Sequence, residues 1–316
     1  MNHAVQSKPP LILCITGPTA TGKTELCVRL SKNFPLEVIS MDSALVYRHM
    51  NIGTAKPTTD ELASCQHHLI DIIDPVDHYS AARFKTDAER LVFEIVDRGN
   101  MPVILGGTMM YYNALVNGLD QLPSRDDKIR EQLDSEASLS GWPTLHEKLS
   151  RIDPDTASRL NPNDAQRIQR ALEVFYITGE TMSSLLEKNK QKAKTLQTLD
   201  IALIPDDRTL LHKRIEERFA KMLAAGLVDE VDRLRRTWEL NENMPSMRCV
   251  GYRQAWSYLE GRIDKRMLHE QGVAATRQLA KRQLTWLRSL QIKHQFDPFD
   301  EKMELIVSSL ISKHLT

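Results

Sequence analysis

Short apolar runs that end in polar or glycine residues recur along the chain. They occupy residues 10–16 (PLILCIT), 36–42 (LEVISMD), 101–107 (MPVILGG) and 199–205 (LDIALIP). Uninterrupted apolar runs of this length are typical of strands that are buried on both faces of a sheet. The pattern therefore predicts four buried strands.

Segments with helical spacing separate these runs. Residues 23–34 place Leu26 and Leu30 four positions apart. Residues 80–99 are predicted to form a helix with Ser80 as its N-cap and Gly99 just past its end. Strands that alternate with helices predict an α/β fold with a mostly parallel sheet, in which ligands bind beyond the carboxyl ends of the strands.

The pattern changes after about residue 120. Residues 124–160 are charged and helical in spacing, and residues 161–181 resemble a capped amphipathic helix. On a helical wheel, Gln166, Arg170 and Glu173 lie within about 60° of one another, opposite an apolar side of Ile168, Ala171, Leu172 and Phe175. We predict a helical insertion domain at 121–195 within a core formed by 1–120 and 196–316.

Composition limits the class of protein. The chain has 316 residues, of which 41% are apolar, and 42 basic residues balance 42 acidic ones. This suits a packed protein of one or two domains and argues against a polycationic nucleic-acid binder, although a local basic face remains open. Four cysteines without a C-x-x-C pair predict reduced thiols in a cytoplasmic protein. Neither a secretory signal nor a membrane-spanning run is predicted.

The strongest motif follows the first predicted strand. It consists of Gly17, Pro18, Thr19, Ala20, Thr21, Gly22, Lys23 and Thr24, and it fits the phosphate-binding pattern G-x-x-x-x-G-K-[ST]. Its position between a strand and a helix is the context that the motif requires, because backbone N–H groups at a helix N-terminus attract anions. Lys23 would add a cationic contact and Thr24 could hold Mg²⁺. The motif does not say whose phosphate binds, and a chance glycine turn is the alternative.

Two further candidates lie at predicted strand ends. Asp42 ends the second run, and Thr108 follows Gly106 and Gly107 at the end of the third. Asp42 could cap the segment that follows it or act as a general base in the cleft. Thr108 could likewise be an N-cap or a hydroxyl donor to a ligand, and the sequence leaves both alternatives open.

An arginine within an apolar stripe is the next candidate. Asp207 is predicted to cap a helix that ends near Gly226, and Arg218 falls on the same side of it as Leu211, Ile215 and Met222. An arginine in such a stripe needs a route to solvent or an anionic partner. A bound diphosphate would be such a partner.

Basic residues concentrate near the C-terminus. Residues 276–288 contain Arg277, Lys281, Arg282 and Arg288 but no acid, and three of these cations share one side of a helix opposite Leu279 and Trp286. Residues 248–254 add Arg248 and Arg253 beside Tyr252, whose ring could stack on a base or belong to the core. A solvated face is the ordinary interpretation of such charge, but the absence of acids favours binding to a phosphate backbone.

Taken in order, these segments resemble the bacterial tRNA dimethylallyltransferase family, also called tRNA isopentenyltransferases or IPP transferases. The resemblance is carried by GPTATGKT, ISMDSALVYRHMNIGTAKP, HHLIDIIDP, GGTMMYY, NDAQRIQRALEV, RCVGYRQAW and TRQLAKRQLTWLR, which together span nearly the whole chain. The P-loop alone would be unspecific, whereas the ordered set is specific.

The resemblance implies a P-loop core of nucleotide-kinase type and a reaction. A dimethylallyl group would move from dimethylallyl diphosphate to N6 of adenosine 37 of tRNA, with Mg²⁺ as cofactor, in a cytoplasmic monomer. Asp42 matches the general base, Thr108 a residue beside the reacting atoms, and Arg218 a diphosphate ligand. The P-loop, which would suggest ATP binding, would hold the leaving diphosphate.

The resemblance also implies a set of tRNA contacts around the anticodon stem-loop. They are Asp42, Ser43, Ala44, Leu45, Thr108, Arg130, Gln166, Arg167, Ile168, Gln169, Arg170, Arg248, Cys249, Val250, Gly251, Tyr252, Arg253, Lys281, Arg282, Gln283, Leu284, Thr285, Trp286, Leu287 and Arg288. Two other functions remain as alternatives. A small-molecule kinase that uses ATP would leave the basic segments idle, and a non-catalytic RNA-binding protein would leave the P-loop idle.

Overall fold

The four predicted strands form the centre of a six-stranded sheet. The computed structural model describes residues 11–118, 122–188 and 196–315. Its strands are β1 (Leu11–Thr16), β2 (Leu36–Met41), β3 (His67–His68), β4 (Met101–Gly106), β5 (Gln197–Leu203) and β6 (His294–Phe296). Their order is β3-β2-β4-β1-β5-β6, and each neighbouring pair is parallel. The predicted α/β fold with a parallel sheet is therefore confirmed.

The two edge strands were not predicted. β3 contains two histidines and β6 reads His-Gln-Phe, so neither carries an apolar run. Each is short and pairs with only one neighbour, β2 or β5. The position of each edge strand is therefore determined by hydrogen bonds to its neighbour and not by its own side chains.

The helices cover the sheet and build the insertion. They are α1 (Lys23–Leu30), α2 (Thr59–Ser64), α3 (Ala81–Asp97), α4 (Met109–Val116), α5 (Asp127–Ser140), α6 (Trp142–Ile152), α7 (Pro154–Ala157), α8 (Ala165–Thr178), α9 (Met182–Lys188), α10 (Arg208–Ala224), α11 (Leu227–Thr237), α12 (Tyr252–Leu259), α13 (Lys265–Ser289) and α14 (Met303–Leu315). Among the described helices, none is long and apolar enough to cross a membrane. The predicted caps are confirmed, since Ser80 accepts from Arg83 N at 3.1 Å and Asp207 accepts from Thr209 N at 2.7 Å.

The central strands end level with one another. Thr16 of β1 and Met41 of β2 both pair with Gly106 of β4, which lies between them. Apolar side chains fill both faces below this edge: Phe84 and Ile95 of α3 belong to one cluster and the residues of α1 to another. The packed faces fix the strand ends, so the loops that leave them emerge at one edge.

The chain divides into two compact units. One contains Met1–Val116 and Thr195–Thr316, and the other contains Asn117–Lys194. The second unit is helical and packs around buried residues that include Leu133, Leu145, Leu149 and Leu172. The bounds predicted for the insertion, residues 121 and 195, lie outside the described residues.

Candidate active site at the carboxyl ends of the strands

The P-loop joins the end of β1 to the start of α1. Ala20 and Gly22 have φ angles of 65° and 76°, in the left-handed region. Where such residues alternate with right-handed ones, successive backbone N–H groups form a concavity that binds anions. Lys23 Nζ donates to Gly17 O at 2.9 Å and to Pro18 O at 2.7 Å. Burial lowers the pKa of Lys23 to about 7, the charge of Asp42 opposes this shift, and the charge of Arg218 adds to it. The cation therefore lacks a full counter-charge.

Asp42 follows β2 and is partly exposed. Its Oδ1 accepts from Ala44 N at 2.8 Å and from Leu45 N at 3.4 Å, which fixes the orientation of the carboxylate. Asp42 thus does bind backbone N–H groups, as the capping alternative proposed, but the segment it binds is a turn and not a helix. Its Oδ2 accepts no hydrogen bond from the described part of the chain. One oxygen is held and the other remains available to a ligand.

Thr108 connects the ends of two strands. Its Oγ1 accepts from Ser43 N at 3.0 Å and lies 3.4 Å from Ser43 Oγ, while Thr108 N donates to Met41 O at 3.2 Å. Thr108 takes the N-cap position of α4, because its carbonyl accepts from Tyr112 N at 3.3 Å, but its hydroxyl is used by the β2 loop and not by the helix. Thr108 thereby holds the turn that carries Asp42.

Arg218 lies in the same electrostatic environment. Burial lowers its pKa, the charge of Asp42 opposes this shift, and Arg214 adds to it. Leu211 and Ile215 of the predicted apolar stripe are buried, whereas Met222 is only partly buried. Lys23, Asp42 and Arg218 come from three separate segments, and their charges act on one another.

Arg214 was missed by the sequence analysis. Its Nη2 lies 3.9 Å from the position that a Cβ would take on Gly22, and its charge lowers the pKa of Arg218. The available signal was its spacing, because residues four apart on a helix share one face. The P-loop is thus flanked by two arginines from α10.

Buried tyrosines and a partly exposed cysteine belong to the electrostatic surroundings of Asp42. Tyr47 and Tyr111 are 2% and 4% exposed, and burial, Tyr47 and Asp42 together raise the pKa of Tyr111. Burial and the charge of Asp42 raise the pKa of Cys249 to about 12. The Cys249 thiol therefore stays protonated near neutral pH.

Of the two alternatives for Tyr252, the structure supports a place in the core and not a ring that stacks on a base. Tyr252 is fully buried, and its hydroxyl donates to Glu230 Oε1 at 2.5 Å. Glu230 also accepts from the backbone N–H groups of residues 51, 52 and 53, with the shortest distance, 2.9 Å, to Ile52 N. A phenol that hydrogen-bonds to a buried carboxylate is a core group, and this cluster fixes the loop that follows Asp42.

The exposed part of segment 248–253 consists of its two arginines. Arg248 and Arg253 line a polar cavity of about 330 Å³ together with Glu242, Asn243 and Arg262. Arg262 Nη2 donates to Glu242 Oε2 at 2.6 Å, so one of the three arginines is paired there. The cavity keeps a positive charge, which suits the predicted contact with phosphate.

The basic face of α13 is only partly as predicted. Lys281, Arg282 and Arg288 are exposed and form no ion pair within the described ranges, whereas Arg277 pairs with Glu216 at 3.0 Å. The side chains of Leu284 and Leu287 are buried, so the prediction that they contact tRNA is wrong for these side chains. Trp286 is 44% exposed, although the wheel placed it opposite the cations.

The helical unit holds the remaining predicted tRNA contacts. Arg130 donates to both oxygens of the fully buried Glu173, at 2.8 and 3.0 Å, and Arg170 donates to Glu173 Oε2 at 2.6 Å. Despite the burial, hydrogen bonds from these arginines lower the pKa of Glu173 to about 2. The wheel had placed Glu173 on the polar face, and its burial as the partner of two arginines corrects that.

Within α8, exposure separates the predicted contacts into two groups. Gln166 and Arg167 are exposed, and Arg170 is partly exposed. Ile168 is fully buried, and Gln169, 8% exposed, donates to Asp134 Oδ1 at 2.7 Å. A tRNA contact through the side chains of Ile168 and Gln169 is therefore wrong, because helical spacing turns them into the unit's core.

Comparison with known proteins finds relatives that match most of the chain. A sequence model described as IPP transferase matches residues 45–290. A tRNA dimethylallyltransferase of Burkholderia multivorans is 56% identical over 293 residues, covering 92% of this chain and 90% of the relative.

Two solved structures are also similar. The tRNA isopentenylpyrophosphate transferase of Bacillus halodurans has a TM-score of 0.72 and 36% identity, and the match covers 98% of this chain and 97% of that one. A eukaryotic dimethylallyltransferase acting on tRNA has a TM-score of 0.81 and 26% identity, with 97% and 79% covered. The P-loop, residues 17–24, lies before the segment that the family model matches. The two structural matches cover 98% and 97% of this chain and therefore extend beyond that segment.

Proposed function

We propose that this chain, which belongs to the IPP transferase family and is an enzyme that transfers a dimethylallyl group to tRNA, takes that group from dimethylallyl diphosphate and attaches it to N6 of adenosine 37. The observation that carries the proposal is the electrostatic interaction of Lys23 and Arg218 with Asp42, which lies at the carboxyl end of β2. Two partly buried cations and one carboxylate with an available oxygen match a leaving diphosphate and an attacking amine.

The cations serve the leaving group. Burial lowers the pKa of both Lys23 and Arg218, so each gains stability from an anion that restores its charge balance. An allylic carbon tolerates positive charge, and the C–O bond to diphosphate can lengthen before the new bond is complete. Lys23, Arg218 and the P-loop N–H groups would stabilise the negative charge that accumulates on the diphosphate oxygens.

Asp42 serves the nucleophile. The adenine N6 attacks the allylic carbon, the C–O bond breaks, diphosphate leaves with the electron pair, and the nitrogen becomes cationic. Asp42 Oδ2 would then accept the N6 proton, while Oδ1 stays bound to the backbone of the turn. Thr108 supports this role because it fixes Ser43, the residue next to Asp42.

We also propose Mg²⁺ as a cofactor. No group of three or more acidic, histidine or cysteine side chains able to hold a metal occurs in the ranges that the structure covers. Thr24, in the first turn of α1, offers one hydroxyl, which fits an ion bound mainly by diphosphate oxygens and water. When bound, the ion would neutralise part of the diphosphate charge.

The exposed cations would bring tRNA to this site. Lys281, Arg282 and Arg288 on α13, with Arg248 and Arg253, provide contacts for phosphates of the anticodon stem-loop. Adenosine 37 would have to leave the anticodon stack to reach Asp42, as bases do in other enzymes that modify them. The free thiols fit the proposed cytoplasmic setting, and we propose a monomer.

A single assay separates the proposal from a kinase. Purified protein is incubated with anticodon stem-loop RNA and either labelled dimethylallyl diphosphate or γ-labelled ATP. We expect label in the RNA only with the diphosphate donor, and none when adenosine 37 is replaced by guanosine. Transfer of label from ATP alone would reject the proposed donor and favour a P-loop kinase.

A further inference from the structure

Gln283 of α13 connects the P-loop with the end of β4. Its Oε1 accepts from Thr19 N at 2.9 Å, and its Nε2 donates to Gly107 O at 2.9 Å. Lys281 and Arg282 precede it on the same helix and are exposed, whereas Gln283 is only partly exposed. Both ends of its amide are therefore used inside the protein, although the residue was predicted to contact tRNA.

The close approach of α13 requires a glycine at position 107. A Cβ on Gly107 would lie 2.3 Å from Gln283 Nε2 and 3.0 Å from Gly17 O. Real Cβ atoms do not come so close to another heavy atom, so any larger residue would displace the Gln283 amide. The glycine is needed for proximity here, because Gly107 has no positive φ.

We propose that Gln283 is a positioning residue that holds the P-loop in its diphosphate-binding shape and links it to the basic helix α13. The inference rests on the proposed function, because it assumes that the P-loop binds the donor diphosphate. A loop held in place before binding loses less conformational entropy when the ligand arrives. Gln283 would therefore act on donor binding through Thr19 and would have little effect on RNA binding.

Four variants test this role. Gln283→Ala removes both hydrogen bonds, and the isosteric Gln283→Glu keeps the acceptor for Thr19 N but loses the donor to Gly107 O. Gly107→Ala reaches the same bridge from the other side. Gln278→Ala is the matched control, because Gln278 is an exposed glutamine on the same helix.

The measurements are the Kd of isopentyl diphosphate without RNA, the KM and kcat for dimethylallyl diphosphate, and the Kd of anticodon stem-loop RNA. We expect Gln283→Ala to raise the donor Kd and KM about tenfold, as for the loss of a well-formed hydrogen bond, with kcat reduced less than about threefold. Gln283→Glu and Gly107→Ala should also weaken donor binding. RNA affinity should stay within about twofold, and Gln278→Ala should match the wild type.

The double variant makes the test specific. Once Gln283 is truncated, a methyl group at position 107 has no amide to displace. The donor Kd of the double variant Gly107→Ala/Gln283→Ala should therefore rise about as much as in the single variants, and not by the product of their two effects. Weaker RNA binding with unchanged donor binding would overturn the inference and make Gln283 a tRNA contact. A fall in kcat as large as the rise in KM, together with a lower Tm, would also overturn the inference. A wild-type protein that binds no alkyl diphosphate would instead refute the proposed function.

Discussion

Lys23 provides the sharpest quantitative prediction. Burial holds its pKa at about 7 in the free protein, although Asp42 acts in the opposite direction. A bound diphosphate supplies negative charge and should return the pKa to the ordinary range of a lysine, about 10.4. Lys23 is then fully protonated in the complex but only partly protonated in the free protein. Diphosphate binding therefore takes up a proton, and it weakens as pH rises above 7.

The magnitude follows from these two pKa values. Between pH 7.5 and 9.5 the Kd should rise roughly 70-fold, and at pH 7.5 about three-quarters of a proton should be taken up on binding. An alkyl diphosphate loses its last proton near pH 6, as phosphate groups do, and so contributes little in this range. Arg218 remains charged throughout it, even with a lowered pKa.

Isothermal titration of isopentyl diphosphate without magnesium measures both quantities. Proton uptake is obtained by comparing buffers that differ in ionisation enthalpy. Lys23→Met should bind more weakly and lose the pH dependence, whereas Lys32→Met, which changes an exposed lysine just beyond α1, should retain it. A wild-type Kd that changes less than about threefold over this range, with no proton uptake, would refute the reasoning by showing that free Lys23 is fully charged.

Three further predictions use other contacts. Asp42→Asn keeps an acceptor for Ala44 N but cannot take a proton, so single-turnover transfer should slow by roughly 10²–10⁴-fold with unchanged RNA affinity; near-normal turnover would remove its role as base. Replacing Lys281 and Arg288 by glutamine should reduce the slope of log K against log salt in RNA binding by about 1.4 to 1.8, and an unchanged slope would place the RNA elsewhere. Glu230→Gln places an amide N–H against backbone donors and should lower the urea-measured free energy of unfolding by about 2–3 kcal/mol, unlike the exposed control Glu239→Gln. Equal free energies of unfolding for the two variants would show that the second carboxylate oxygen of Glu230 does not stabilise the fold.

Much of the fold could be predicted from local pattern. The strands at residues 11–16, 36–41 and 101–106 are mostly apolar because helices or other core elements cover both of their faces. Helix starts at Ser80 and Asp207 were predictable because a cap depends on a single side chain and the next few N–H groups. The edge strands β3 and β6 were missed because neither carries an apolar run.

Burial of polar and aromatic groups was harder to predict. A helical wheel shows which residues share a side, but it does not show what packs against that side. Glu173 appeared polar and exposed on the wheel, yet it lies buried between two arginines. Trp286 lay opposite the cations on the wheel, and it is exposed as well. In each case the neighbouring element decided the outcome, which is a tertiary effect.

The sequence by itself determined the parallel α/β core, the P-loop at the end of β1 and the placement of Asp42 and Thr108 at neighbouring strand ends. These features follow from periodicity and from a motif contained in eight consecutive residues. Only the tertiary structure decided that Arg218 shares an electrostatic site with Lys23 and Asp42, and that Gln283 contacts the P-loop across 264 positions. Contacts at such separations depend on how helices pack against a sheet, and no local pattern encodes that packing.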